Sequence, residues 1–393
     1  MEIESMLKIL SFRKLISFSV PFIFSMQAMA NNPHPPLLPK SSIPRPPYIL
    51  ISPHATLTPS GYSPAQIQKA YGFPTANQGA GETIAVIDAG DDPNIEADLN
   101  VFSTQFGLPA CTTANGCFSK MFSDGSLPPG DSGWAVETSL DVEWAHAMAP
   151  QAKILLIESN DASSLYWAIP FAIQQHASVI SMSWGGGEFD TETSFDSFFF
   201  QNGSANTPMF AAAGDSGAGV WYPAASPYVT GVGGTQLSVD GNNNWSAEAA
   251  WSGSGGGVSA YETEPAFQTS YVIPQATGMR GVPDVTYNGS GSSPFAVYDS
   301  YGQGGWLQVA GTSAGTPQWA ALAADMMSAK KGNFNNFNGS LYSVAREYSL
   351  SLLHDITTGA NGSCSYFCQA RSGYDYVSGV GSPQSGDLIN RFK

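Results

Sequence analysis

Ser313 lies in the run Val309-Ala310-Gly311-Thr312-Ser313-Ala314-Gly315-Thr316-Pro317, where small residues crowd one hydroxyl. An alanine-rich segment with helical spacing follows, to Met327. A serine at the mouth of a helix presents its hydroxyl outward, beside the positive end of the helix dipole. Gly311 lets the backbone approach a substrate closely, and Pro317 is tolerated in a first helical turn. The pattern suits a nucleophile, and it suits a capped core helix. A serine nucleophile needs a base, usually histidine. The histidines are His34, His54, His146, His176 and His354, none in an H-G-x-H context.

Carboxylates offer another base. Glu137 and Asp141 are four apart in a segment with helical periodicity, so both project from one face. A glutamate with an ordinary pKa near ~4.3 stays ionised in mild acid. Glu137 would act as base and Asp141 would orient it; the alternative is a solvated acidic edge. Asp215, in Ala212-Ala213-Gly214-Asp215-Ser216-Gly217, could donate to an oxyanion if protonated, or could be a turn aspartate before glycine. Asp355-Ile356 and the turn from Arg371 to Asp375 flank a cysteine pair. Two carboxylates plus loop carbonyls suit Ca²⁺, although the spacing alone is a weak signal.

The elements that must hold these residues follow from periodicity. Thr83 to Asp88, Lys153 to Ile157, Val179 to Ser183, Pro208 to Ala213 and Tyr228 to Gly234 read as strands, mostly short apolar runs. Trp134 to Met148 reads as a helix with a stripe of Val136, Leu140, Trp144 and Ala147. Helices are also expected from Ser63 to Tyr71, up to Phe106, from Asp161 to His176 with a kink at Pro170, and from Asp190 to Asn202. This alternation predicts an α/β fold, a doubly wound, mostly parallel sheet with helices on both faces. Such sheets bind ligands beyond the carboxyl ends of their strands. Asp88, Trp184 and Asp215 fall there. Residues 240–308 read as irregular β structure and loops.

The chain has 393 residues, with 15 Lys+Arg against 31 Asp+Glu, a net charge of −16. That balance argues against nucleic acid and anionic membranes as partners. Residues 1–30 read as an export signal, with a basic start, an apolar stretch from Leu15 to Met26 and an Ala28-Met29-Ala30 cleavage site. No later apolar run is long enough to span a bilayer. In an exported chain, Cys111 with Cys117 and Cys364 with Cys368 read as two local disulfides. Residues 31–62 are Pro-rich and read as an extended linker or surface-clinging arm. Residues 63–393 are expected to form the functional domain. Sequons stand at Asn202, Asn244, Asn288, Asn338 and Asn361.

Glu137 to Trp144, Ala213 to Gly217, Gly311 to Pro317, and Asp355-Ile356 with Gly373-Tyr374-Asp375 together resemble the sedolisin family. These are serine-carboxyl peptidases with a subtilisin-like fold, and the resemblance covers about residues 63–383. It implies Ser313 as nucleophile, Glu137 as base, Asp141 as its partner and Asp215 as the oxyanion-hole acid. It also implies Asp88 as a carboxylate supporting Glu137, with Trp184 in the same network. Ser183 to Gly186 resembles the strand along which such enzymes lay a peptide. One Ca²⁺ would be held by Asp355, Asp375 and the carbonyls of Ile356, Arg371 and Gly373. The chain departs from the family pattern in its short segment before the catalytic domain and in Arg371, where a glycine is common.

These residues point to a secreted endopeptidase acting in acid, periplasmic if the host has two membranes. It would be a monomer whose partner is a peptide or unfolded protein. The rivals are an exopeptidase that trims tripeptides and a non-catalytic binding protein on an inactive peptidase fold.

Overall fold

The central sheet is built from the apolar runs. Its strands are β2 (Thr83–Ala89), β3 (Phe118–Phe122), β4 (Lys153–Ser159), β5 (Val179–Met182), β7 (Met209–Ala212), β9 (Thr230–Val239), β10 (Trp245–Ala250) and β13 (Val285–Asn288). The order is β10-β9-β7-β5-β2-β4-β3, with β13 also pairing β9. All neighbours are parallel except β10 against β9. This is the doubly wound, subtilisin-like α/β architecture expected. The structure is a computed structural model that describes residues 38–52, 54–75, 78–200, 207–348 and 351–393. The export signal, the first residues of the arm and the Asn202 sequon lie outside these.

Two buried helices cross the sheet. They are α3 (Ser132–Met148) and α6 (Thr312–Lys330), and they pack against each other. The expected apolar stripe of α3 is present, but the helix is buried all round from Ala135 to Met148, carboxylates included. Its first turn is held by Asp131, whose side chain accepts the N–H groups of Gly133 and Trp134; this is an N-cap. Around them lie α1 (Pro64–Ala70), α2 (Ile95–Phe106), α4 (Leu165–Gln174), α5 (Ala266–Tyr271) and α7 (Phe337–Glu347). Pro170 sits inside α4.

The expected helix from Asp190 is instead a 3₁₀ stretch, Glu192–Phe198. Its tighter winding stacks residues three apart. That puts Phe195 and Phe198 side by side, both buried and in contact with the Tyr166 ring.

Residues 240–308 hold more regular structure than the sequence suggested. Here β11 (Gly257–Thr263) pairs β12 (Met279–Val282), and β14 (Phe295–Asp299) pairs β15 (Gly305–Ala310). β15 runs directly into α6. On its other edge it takes β1 (Ile49–Leu50) from the Pro-rich arm. Residues 37–393 form one compact unit that includes the described part of the arm. No helix among the described residues is long and apolar enough to cross a membrane. Both expected disulfides are formed. Of the sequons, Asn288, Asn338 and Asn361 are buried.

Candidate active site

The carboxyl ends of β2, β5 and β7 deliver Asp88, Ser183-Trp184 and Asp215 to one region, and α3 and α6 add Glu137, Asp141 and Ser313. Glu137, Asp141 and Ser313 are all fully buried. Ser313 stands in the first turn of α6, after Gly311 in the left-handed half of backbone space with φ 125°. Its hydroxyl donates to the Ser183 carbonyl at 3.5 Å, a long contact that leaves it free to turn to another acceptor.

Glu137 lies beside this hydroxyl, with both carboxylate oxygens buried and without a hydrogen-bond partner. Burial pushes Glu137 well above the ordinary carboxylate range, the charges of Asp141 and Asp88 push the same way, and the Ser313 hydroxyl draws it down. Asp141 is raised by burial and then by Asp88, while Ser183 and Glu137 favour its charge. The Ser183 hydroxyl donates to Asp141 Oδ1 at 2.7 Å. Asp88 is pushed up to about 7, chiefly by burial. Three carboxyl groups crowd here, none with a salt bridge among the described residues, so they titrate as a coupled group. Trp184 is fully buried, and its indole N–H donates to the Ile87 carbonyl at 2.8 Å. It touches the backbone beside Asp88 and makes no hydrogen bond to a carboxylate.

Asp215 is held from one side. The Thr312 N–H and hydroxyl both donate to Oδ1, each at 2.8 Å. Oδ2 is buried without a partner. Burial pushes Asp215 up to about 8. With Oδ1 already accepting two bonds, a proton belongs on Oδ2, the one oxygen free to donate it.

The Pro-rich arm lies across this site. The Arg45 N–H donates to Gly185 O at 2.9 Å and the Gly185 N–H returns to Arg45 O at 3.2 Å. The Arg45 guanidinium sits over the Trp221 ring, 4.9 Å from its centre. Further upstream, Ser42 packs so closely on Gly186 that a Cβ there would come within 2.8 Å of Ser42 backbone atoms. Downstream, Ile49 and Leu50 pair with Ala310 and Val309. Between the two pairings the chain passes Gly311. A Cβ on Gly311 would meet the Pro47 carbonyl oxygen at 2.3 Å and Asp215 Oδ2 at 2.4 Å. Only glycine allows this approach. A backbone carbonyl thus rests beside Gly311 and the unpartnered oxygen of Asp215, two residues beyond the Arg45 pairing with the strand expected to receive a peptide. Sequence reasoning saw the arm but not its resting place, and missed Ser183 and Thr312 as supports.

His146 is remote from Ser313 in role. It is buried and bonds the Pro109 carbonyl at 2.8 Å, and burial lowers its pKa. In the C-terminal loops, Asp355 accepts the Gly373 N–H, and Asp375 accepts those of Arg371, Val377 and Ser378. Gly373 takes φ 80°, whereas Arg371 is not among the residues with positive φ. No hydrogen bond among the described residues reaches the carbonyls of Ile356, Arg371 or Gly373. The donor set is all oxygen with free carbonyls, which fits a hard cation.

A family model described as the subtilase family matches residues 132–345. Kumamolisin of Bacillus sp. (strain MN-32) is 30% identical over 358 residues, spanning 83% of this chain and 62% of kumamolisin. Tripeptidyl-peptidase sed5 of Aspergillus fumigatus is 32% identical over 260 residues, spanning 54% of this chain and 43% of that protein. The chain therefore covers less than two thirds of the length of either relative. The solved structure of Pseudomonas sedolisin, a serine-carboxyl proteinase complexed with two molecules of pseudo-iodotyrostatin, superposes with a TM-score of 0.75 at 26% identity. It covers 85% of this chain and 98% of that one. Matched by that family model, by kumamolisin and by the sedolisin structure, the chain belongs to the subtilase family, in its sedolisin branch.

Proposed function

We propose that this protein is a secreted serine-carboxyl endopeptidase that hydrolyses peptide bonds in acid. The observation that carries this is the convergence of Ser313, Glu137, Asp141 and the half-partnered Asp215 around the point where a backbone carbonyl rests. Glu137, ionised within its coupled group, takes the Ser313 proton as the hydroxyl attacks the carbonyl carbon. Asp141, anchored by Ser183, orients Glu137 and shares the proton. Protonated Asp215 donates from Oδ2 to the developing oxyanion. Glu137 then returns the proton to the leaving amine, and water repeats the sequence on the acyl-enzyme. Asp88 supports the carboxyl group from behind, and Trp184 fixes the strand end that carries Asp88.

The path of the arm supports an endopeptidase over a tripeptidyl-peptidase. Counting Pro47, at the reacting carbonyl, as the first residue, Arg45 is the third. The chain continues past it through Pro44, Ile43 and Ser42 to Lys40. A site that releases tripeptides must close after the third residue, and this groove holds more.

The loop carboxylates of Asp355 and Asp375 and the carbonyls of Ile356, Arg371 and Gly373 would hold one Ca²⁺. That ion would tie the C-terminal loops together and take no part in the chemistry.

The test is digestion of an unfolded protein between pH 2 and 8, with every cleavage site mapped and Ser313→Ala as control. Internal cuts in acid that vanish in the variant are expected. Release of tripeptides alone would replace this reading with the exopeptidase, and no hydrolysis at any pH would leave a binding protein.

A further inference from the structure

A second acidic cluster lies on the other side of α3. Glu143 stands two residues past Asp141, about 200° around the helix, and so faces away from Ser313. Asp92, Asp98 and Asp299 come together there, each offering an oxygen within 4.8 Å of the others. They arrive from the exit of β2, from α2 and from the end of β14. All four residues are buried, at no more than 1% exposure.

We propose that this cluster binds a hard divalent cation, Ca²⁺. Glu143 gives the independent pointer. Its Oε2 accepts the Tyr298 N–H at 3.1 Å, one residue before Asp299. Its Oε1 is fully buried with no partner, and so is Asp92 Oδ2. Two buried carboxylate oxygens without a donor are costly unless a cation or a proton satisfies them. Glu143 feels the charges of Asp98, Asp299 and Asp92.

The remaining oxygens are fixed by donors that favour the charged form. Asn94 N–H reaches Asp92 Oδ1 at 2.9 Å. Ser300 gives its hydroxyl and N–H to the two oxygens of Asp98 at 2.7 and 2.8 Å. The N–H groups of Tyr301 and Gly302 reach Asp299 at 3.1 Å. A carboxylate oxygen can accept more than one partner, so these bonds orient the group and leave a lone pair for an ion.

The nearest cation is already engaged. Lys120 forms salt bridges with Asp91 and Glu158 and touches Asp92 only at its backbone oxygen. Among the described residues, none of Asp92, Asp98, Asp299 and Glu143 has a salt bridge. Four carboxylates supplying most of the ligands suit Ca²⁺ better than Mg²⁺, which keeps several waters and takes one or two carboxylates.

The test is calorimetric titration of chelator-stripped protein with CaCl₂ at pH 7. It is run in Asp375→Ala, where the C-terminal loop site is removed. About one ion per chain should still bind. Adding Asp92→Asn with Asp299→Asn should abolish that binding, with folding checked by circular dichroism. Glu143→Gln, a milder change, should weaken it by roughly tenfold or more. If Asp375→Ala does not fold, ions are counted on the wild type by atomic emission. Two per chain support the site and one overturns it. No uptake by folded Asp375→Ala, or uptake unchanged by the double substitution and by Glu143→Gln, also overturns it.

Discussion

One helix carries two acidic clusters, and they are built differently. On one face of α3, Glu137 and Asp141 join Asp88 beside Ser313; on the other, Glu143 joins Asp92, Asp98 and Asp299. Both are buried and rich in like charge. In the first, both oxygens of Glu137, both of Asp88 and Asp141 Oδ2 lack a well-aligned donor. In the second, main-chain N–H groups hold at least one oxygen of every carboxylate. Donors that favour the charged form oppose the rise that burial causes, but burial still wins in both clusters: Asp92 is pushed up to about 7, as Asp88 is. Burial is common to both clusters; main-chain N–H groups orient the carboxylates of the second, and none does so for Glu137 or Asp88 in the first.

The largest effect should come from the first cluster. Glu137→Gln keeps shape and removes basicity, so kcat should fall on the order of 10⁴–10⁶. Asp141→Asn leaves the base in place without its partner, and its loss should be roughly ten- to a hundredfold smaller. Steady-state kinetics on a chromogenic peptide at the pH optimum measures both. Equal, small losses would mean that the cluster only fills space.

The strands and the serine helix were legible because β-branched runs and alanine spacing are local signals. So was the sharing of one face by Glu137 and Asp141, since four residues make about one turn. The complete burial of α3 was not, because its polar residues are covered by partners from distant segments. The second cluster escaped for the same reason: Asp92 and Asp98 meet Asp299 only through tertiary folding. The arm's extended, surface-clinging character was legible in its composition, but the place where it docks was not. Proline lacks an N–H, and Pro44-Arg45-Pro46-Pro47 leaves Arg45 as the only donor in that run, the donor that pairs with Gly185. A sequence with one N–H among four residues looks unstructured, yet one correctly placed N–H is enough to dock it.

Asp215 gives the next effect. At about 8 it stays protonated from acid to near neutrality. The alkaline limb of kcat/KM should therefore fall as pH rises toward 8, later than an ordinary aspartate near ~3.9 would place it. The acid limb belongs to the Glu137–Asp141–Asp88 group as a whole. Asp215→Asn supplies a donor that does not titrate, so its alkaline limb should flatten while the acid limb stays. A profile that moves on both limbs together would place Asp215 inside the first cluster instead of opposite it.

The arm covers the first cluster and offers a smaller effect. Arg45→Pro removes the N–H that pairs with Gly185. A tethered segment competes with substrate at an effective concentration in the mM range when its span fits. Loosening it should lower KM for a short peptide by roughly tenfold and leave kcat nearly unchanged. An unchanged KM would mean that the arm leaves the groove freely, and a lowered kcat would mean that it shapes the site.

The smallest effect, and the one that weighs the two clusters against each other, is on stability. Asp215 and Asp88 are raised to about 8 and about 7, and away from both clusters Glu192 and Glu262 are raised to about 9 and about 8, each chiefly by burial. Their unfolded values lie near 3.8 for aspartate and 4.5 for glutamate. The folded state therefore holds these protons more tightly than the unfolded state. Their stabilisation is complete below about pH 4 and is lost as pH rises through 7 to 9. In chelator, Tm should fall steadily between pH 4 and 8. A cation in the second cluster works in the opposite sense, because its ligands must be deprotonated and its binding strengthens with pH. Saturating Ca²⁺ should flatten the fall in Asp375→Ala, and should no longer do so once Asp92→Asn and Asp299→Asn are added. Scanning calorimetry at pH 4, 6 and 8, with and without Ca²⁺, reads both terms. A Tm that rises with pH in chelator would show that these buried carboxylates find their charge compensated within the fold.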